Sequence, residues 1–301
     1  MRIGIDLGGT KIAAIALDEQ GRERARTRAG TPRGYDAMLD ALAGAVAELE
    51  RAAGTAMGIG ISLPGVVDAV AGTVQAVNLP WLDGRPFAAD LAARTGRGVR
   101  IANDGNCFAL SEAVDGAAAG EGVVYGIILG TGVGGGLVVG GRILAGANAI
   151  AGEWGHTPLP WRREGEDGPP EPCGCGRPGC VETVLSGAGL TRLHARHTGE
   201  SLAPPEIARR TGAGDDAARA TLERYADALA RSLAVVVHII DPDAMVIGGG
   251  LSNLPGLAEA AAARIGRHTL AAAPRTRIVR ARHGAESGMR GGAWLWPRSG
   301  R

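Results

Sequence analysis

Three of the four cysteines of this 301-residue chain stand within eight positions, as Cys173-x-Cys175 and Cys180 in the run CGCGRPGC. Thiolates at that spacing, separated by Gly174, Gly176 and Gly179, can be aimed at one point, and His156 is the nearest histidine to supply a fourth ligand. Cys3His is a standard closed set for structural Zn²⁺. The competing reading, a disulfide, is disfavoured by the odd count in the cluster, the one-residue C-x-C spacing and the reducing compartment expected for this sequence. Cys107 stays outside the set as a helix-packing residue. If one ring nitrogen of His156 takes the metal, the other faces a ligand in a fixed tautomer. Glu153 and Glu182 flank the cluster, which would tie two carboxylates and an imidazole together in a way that suits the vicinal hydroxyls of a sugar. Taken singly, each glutamate reads as solvated surface charge.

The run IANDGNCFALSEA places Asn103 and Asp104 where an apolar strand hands over to a helix. Either residue can cap that helix, whose first N–H groups need acceptors and favour a carboxylate. Asp104 also falls at the carboxyl end of a strand, where α/β sheets bind ligands. An ionised aspartate there can accept the proton of a hydroxyl as that oxygen attacks a phosphoryl group. The pair can hold both roles.

Two glycine turns point to the phosphate. GTGVGG at Gly130–Gly135 satisfies G-x-G-x-x-G, but the following LVVGGRIL reads as strand rather than helix, so the dinucleotide-binding reading fails on context. The chain has no G-x-x-x-x-G-K-[ST] loop, and neither H-R-D nor D-F-G occurs. What is left is a hairpin turn free of side chains, either a plain tight turn or a nest of N–H groups for an anion. Its match with GIDLGGTK at Gly4–Lys11 favours the nest, since both copies run Gly-Ile-x-Leu-Gly and superimpose on a shift of 122 residues. In the first copy Asp6 precedes Gly8 and Gly9, and Thr10 and Lys11 follow. That supplies a carboxylate for water-coordinated Mg²⁺ and a hydroxyl donor for phosphate. Ile128 stands at the Asp6 position of the second copy, so one half alone would hold the metal.

The elements that must position these groups follow the same repeat. Strands are expected at 2–7 and 11–17, as a hairpin around the first turn, and near 23–29. Met38, Leu39, Leu42, Val46 and Leu49 give helical spacing over 35–53. Strands at 57–62 and 99–102 come next, then a helix from Asn103-Asp104 to about Val114. The second copy leads into a hairpin at 135–146, an irregular cysteine-bearing insert, and a long helix near 215–240. On that helix Leu222, Tyr225, Leu229, Leu233, Val236 and Ile240 form one apolar stripe, and Asp241-Pro242 ends it. A strand at 244–248, the turn Gly248-Gly249-Gly250, a helix from about 255, a strand near 277–281 and a closing helix near 286–296 complete the chain. These are two βββαβα halves, an internally duplicated α/β fold with a cleft expected between the glycine turns.

Thirty-two basic against 31 acidic residues leave a net charge of +1 with no long run of either sign, so nothing supplies the footprint of a nucleic-acid binder. A small-molecule partner is expected. MRIGIDLGGTK lacks the features of a signal peptide, and no apolar run reaches the roughly 20 residues of a membrane span, so a cytoplasmic location without a membrane partner is expected. The length suggests two domains.

Together GIDLGGTK, ANDGNC, GTGVGGG, GEWGH and CGCGRPGCVE resemble the ROK family of bacterial sugar kinases and sugar-responsive repressors, along essentially the whole chain. The resemblance implies an actin-like ATPase (ribonuclease H-like) duplicated fold of two lobes, with ATP in the interlobe cleft. Residues 1–117 plus 288–301 would form the small lobe and 118–287 the large one, the closing helix packing back on the first lobe. It further implies transfer of the γ-phosphoryl group to the 6-hydroxyl of a hexose, with Asp104 as general base. Asn103, Glu153, His156 and Glu182, with Gly65 and Asn78, would bind the sugar. Asp6, Gly8, Gly9, Thr10 and Lys11, with Gly130, Thr131, Gly132, Gly134 and Gly135, would bind the phosphates, with Gly249 and Gly250 near the adenosine. His156, Cys173, Cys175 and Cys180 would be the zinc set. ATP, catalytic Mg²⁺ and structural Zn²⁺ are the implied cofactors, and a homodimer is the family expectation.

Within the family, NLPWLDGRPF at Asn78–Phe87, GEWGHTPLPW at Gly152–Trp161 and GAWLWP at Gly292–Pro297 are similar to fructokinases of the manno(fructo)kinase type, which implies fructose, then mannose. The N-acetylglucosamine kinases share NCFALSEA, ILGTGVGGGL and CGCG, so N-acetylglucosamine and glucose stand as alternatives. Gly105 departs from the alanine usual after the aspartate, at about 1 kcal/mol in the first turn of the helix. Repressor members carry a helix-turn-helix module ahead of the kinase-like part, and with a phosphate turn in the first ten residues that module is not expected here. A non-catalytic sugar sensor is the remaining alternative, opposed by Asp104 and two intact glycine turns.

Overall fold

The structure, a computed structural model, describes residues 1–68, 73–76 and 79–297. Isoleucine, alanine and leucine fill β1 (Arg2–Leu7) and β2 (Lys11–Leu17), which pair antiparallel and are buried almost throughout. β3 (Glu23–Gly30) adds to β2 as an exposed, charged edge. α1 (Tyr35–Ala53) buries the predicted face of Met38, Leu39, Leu42, Val46 and Leu49. β4 (Ile59–Leu63) returns parallel to β1, and a small antiparallel pair, β5 (Val66–Asp68) and β6 (Thr73–Gln75), follows. After α2 (Phe87–Thr95), β7 (Val99–Asn103) lies parallel to β4 and passes directly into α3 (Asp104–Val114).

The second half opens with β8 (Val123–Leu129), β9 (Val133–Val139) and β10 (Arg142–Ile143). The insert is not irregular throughout: it contains α4 (Glu164–Asp167), α5 (Glu182–Leu185), α6 (Gly187–Thr198) and α7 (Pro204–Gly212). α4 and α5, at four residues each, are too short to show a period, and α7 buries a single apolar side chain, Ile207. α8 (Asp216–Ile240), β11 (Ala244–Gly248), α9 (Leu257–Ile265), β12 (Arg277–Arg280) and α10 (Ser287–Trp294) fall close to expectation. The sheet orders β3-β2-β1-β4-β7 and β10-β9-β8-β11-β12 are the same order written twice, which bears out the duplication. At the ends of the central strands, Asp6 lies opposite Ser62 and Ile128 opposite Gly248.

Contacts group the chain into two units, one of residues 1–120, 136–151 and 283–301, the other of 121–135 and 152–282. The sequence boundary put 136–151 with the large lobe instead. The difference has a local cause: Gly136 lies so close to the backbone of Gly105 and Asn106 that a Cβ would strike it, so this part of the hairpin packs with α3.

Within the first unit α10 packs on β1, β4 and α3 at backbone distance. A Cβ at Gly4 would collide with the Met289 carbonyl, one at Gly60 with the Gly292 carbonyl, and one at Gly291 with the Cys107 carbonyl. Backbone cannot swing aside as a flexible side chain can. Gly60→Ala is therefore expected to lower stability by at least about 1–3 kcal/mol, the usual range for an overpacked interior. Chemical denaturation would check this, and an unchanged midpoint would show that α10 yields.

Candidate active site

In the first unit the strand-to-helix handover settles which residue caps α3. Asn103 is the cap, its Oδ1 accepting from the N–H of Gly105 at 2.8 Å and of Asn106 at 3.4 Å. Asp104 is thereby released from capping, although its Oδ1 also accepts from Gly105 N–H at 2.8 Å. The Asn103 amide donates to the Gly65 carbonyl at 3.0 Å, which joins two residues expected at the sugar. Gly65 has φ 137°, in the region that favours glycine, and a Cβ there would strike the Gln75 carbonyl. Asn78, expected beside them, lies outside the described residues.

Asp104 is solvent-exposed, yet the protein surrounds it closely enough that loss of hydration pushes its pKa up, against the Gly105 N–H, which lowers it. Asp6 is pushed up mainly by burial, then lowered by the Ser62 hydroxyl, raised by the Asp104 charge and lowered by Lys11. The two carboxylates thus feel one another. The first turn is closed by Gly8 N–H donating to the Lys11 carbonyl at 2.9 Å, and Thr31 braces it through its hydroxyl to the Gly8 carbonyl at 2.6 Å. Thr10 and Lys11 are exposed beside it.

In the second unit the matching turn is closed by Gly130 N–H to the Gly132 carbonyl at 3.0 Å. A Cβ at Gly130, Gly134 or Gly250 would meet nothing within 4 Å, and none of the three has a positive φ. Neither packing nor backbone strain requires glycine at these positions, and their N–H groups carry no side chain in front of them. Gly132 and Gly135 differ, because a Cβ at Gly132 would stand 2.8 Å from Glu182 Oε2 and one at Gly135 would meet the Gly126 and Gly152 carbonyls at 2.7 and 3.0 Å. Thr131 is exposed at the tip. Gly249 has φ 81° and packs against the Leu129 backbone just before the turn. Beside the following 250–253 turn, a groove of about 160 Å³ is lined by Leu222, Ala226, Leu254 and Leu257 with Arg219 and Glu223.

The expected metal set assembles in the same unit. One ligand atom from each of His156, Cys173, Cys175 and Cys180 lies within 4.8 Å of every other. Cys173 Sγ is 3.5 Å from His156 Nδ1, and the sulfurs of Cys175 and Cys180 are 3.6 Å apart. Thiolates at about 2.3 Å from a tetrahedral zinc stand roughly 3.8 Å from each other, so the donor set fits that ion. Hydrogen bonding, first from Arg177 N–H, lowers the Cys175 thiol to about 6, while burial raises Cys180 to about 12. With Nδ1 turned to the sulfurs, Nε2 of His156 is the nitrogen left for a ligand.

Glu182 does more than flank the cluster. Its Oε2 accepts from Val133 N–H in the second glycine turn at 2.9 Å, and Cys173 Sγ donates to its Oε1 at 3.7 Å. The Gly187 N–H donates to the Gly130 carbonyl at 2.8 Å, so the start of α6 grips the same turn. Trp154 adds a third brace through Nε1 to the Gly134 carbonyl at 2.8 Å. Glu153, beside it, adds its charge to the burial that raises the Tyr125 phenol. Sequence reasoning missed Ser62 and the Val133 N–H. Ser62 left one signal, a polar side chain in an otherwise apolar strand; a backbone group leaves none.

A twice-repeated five-stranded sheet with a glycine turn after the first strand of each copy is the actin-like ATPase architecture, a phosphoryl-transfer fold. The chain belongs to the ROK family, whose profile matches residues 2–299. Over 299 residues it is 47% identical to an N-acetyl-D-glucosamine kinase of Escherichia coli O6:H1, covering 98% of this chain and 99% of that one. Among solved structures it is similar to the ROK hexokinase of Thermus thermophilus, at 36% identity and TM-score 0.84, covering 97% and 96% of the two chains. It is also similar to a ROK family glucokinase of Streptomyces griseus in complex with glucose and AMPPNP, at 30% identity and TM-score 0.76, covering 98% of each. The chain is a sugar kinase of this family. The expected fructose specificity finds no counterpart in these names. Among the described residues, no helix is long and apolar enough to cross a membrane.

Proposed function

We propose that this protein transfers the γ-phosphoryl group of ATP to the 6-hydroxyl of N-acetyl-D-glucosamine. The observation that carries the choice of sugar is the 47% identity, over nearly the full length of both chains, to a kinase named for that sugar. The motifs that suggested fructose argue less, because several of their large residues are packing residues, although Trp161 is exposed. Leu79, Leu82 and Phe87 are fully buried, and Trp296 donates from Nε1 to the Ile59 carbonyl at 2.9 Å with Gly58 and Gly98 against its ring.

In this reading Asp104 accepts the proton of the 6-hydroxyl. Its raised pKa suits that role, since a base is most effective when its pKa approaches the working pH. Asn103, Gly65, Asn78, Glu153, His156 Nε2 and Glu182 bind the sugar. The bare N–H groups of both glycine turns, with Thr10 and Lys11, receive the phosphates, and the groove next to the 250–253 turn takes the adenine. Mg²⁺, when bound, offsets phosphate charge, and Asp6 would hold it through water. Zn²⁺ would be held by His156, Cys173, Cys175 and Cys180 in a structural role.

A coupled ATP-turnover assay across N-acetylglucosamine, N-acetylmannosamine, glucose, mannose and fructose tests the assignment. kcat/KM is expected to favour N-acetylglucosamine by at least roughly tenfold, the discrimination one well-placed substituent contact supports. A preference for fructose or glucose would keep the reaction and discard this sugar.

A further inference from the structure

We infer that Ser62 is a positioning residue for phosphoryl transfer, fixing the orientation of the Asp6 carboxylate. The inference rests on the reading of Asp6 as the residue that holds Mg²⁺ through water. Ser62 is fully buried on β4, in register opposite Asp6 on β1. Its hydroxyl donates to Asp6 Oδ1 at 3.2 Å. A hydroxyl shut away from water in an apolar strand costs free energy unless it is bonded, and the bond it makes is to this carboxylate.

The surroundings fit a carboxylate held in one place. A Cβ at Gly288, in the first turn of α10, would stand 2.7 Å from Asp6 Oδ1 and 3.2 Å from Ser62 Oγ, so glycine at 288 leaves room for the pair. Cys107, fully buried on α3, lies against the same hydroxyl, and burial keeps its thiol protonated. The duplication supplies an internal control. In the second half the corresponding positions are Ile128 and Gly248, so the hydroxyl partner is present only in the copy that carries the carboxylate. With Oδ1 held by Ser62, Oδ2 would be the oxygen available to accept from water on the metal.

The test measures binding rather than turnover. The affinity of a non-hydrolysable ATP analogue is followed by calorimetry as a function of Mg²⁺ concentration, for wild type, Ser62→Ala, Ser62→Cys and Asp6→Asn, with N-acetylglucosamine affinity measured in parallel. Ser62→Ala is expected to raise the half-saturating Mg²⁺ concentration roughly three- to tenfold, the scale of one lost hydrogen bond, and to leave sugar affinity unchanged. Ser62→Cys, a weaker donor of similar size, should fall between Ala and wild type, and Asp6→Asn should exceed both. Unchanged Mg²⁺ dependence in Ser62→Ala while Asp6→Asn shifts it would overturn the role of Ser62 alone. Unchanged dependence in Asp6→Asn would overturn the reading of Asp6 on which it rests.

Discussion

Asp104→Asn is expected to lower kcat by roughly 10²- to 10⁴-fold, the range that general-base catalysis supplies, while sugar affinity changes little. The amide oxygen can still accept from Gly105 N–H, as Asp104 Oδ1 does at 2.8 Å, and Asn103 still caps α3, so the local structure survives. What is lost is the ability to take a proton. The same substitution is expected not to destabilise the fold. Loss of hydration raises the Asp104 pKa above its ordinary 3.8, so between 3.8 and the raised value the native state binds more protons than the unfolded chain. Its contribution to stability therefore falls as pH climbs through that window, and a neutral amide removes the penalty. The wild-type pH–kcat profile should show an acid limb with its midpoint above 3.8, where Asp104 takes up a proton. Stopped assays over an acid-to-neutral series would measure both. Near-wild-type turnover in Asp104→Asn would remove this residue as the base.

Much of this site can be read from residue type and spacing because the chemistry demands particular atoms at particular chain positions. Three sulfurs around glycines, an acid at a strand-to-helix handover and a repeated Gly-Ile-x-Leu-Gly turn are such demands, and the structure assembles the sulfur set and both turns. Long periodic elements such as α1 and α8 are equally legible, since their apolar stripes must match a buried face. The substrate is harder to read. Tryptophans draw attention as motif residues, yet Trp294 and Trp296 lie under the guanidinium groups of Arg2 and Arg100, at 5.2 and 4.2 Å from the ring centroids, where they secure the C-terminal segment. A residue held by the fold says little about which sugar is bound. The choice between N–H donor and sugar hydroxyl as the partner of Glu182 was beyond the sequence for a different reason, because Val133 contributes only backbone to that bond.

Removing the metal should weaken nucleotide binding as well as sugar binding. Cys180 and Glu182 are two residues apart at the start of α5, and Cys173 Sγ contacts Glu182 Oε1 at 3.7 Å. Free thiols at these distances are held by weak contacts alone, whereas a Cys3His ion would fix Cys180 and thereby the start of α5. Glu182 carries that rigidity to Val133 N–H, inside the turn expected to receive phosphate. Chelation is thus expected to release about one zinc per chain and lower the unfolding midpoint by several degrees. Affinity for a non-hydrolysable ATP analogue, measured without sugar, should fall roughly three- to tenfold, the scale of one loosened hydrogen bond. Cys173→Ser should reproduce the loss in part, and added Zn²⁺ should restore the chelated wild type but not the variant. Sugar affinity lost with nucleotide affinity intact would confine the metal's influence to His156 and its neighbours. Full stability and affinity in metal-free protein would mean that the sulfurs support the turn without an ion.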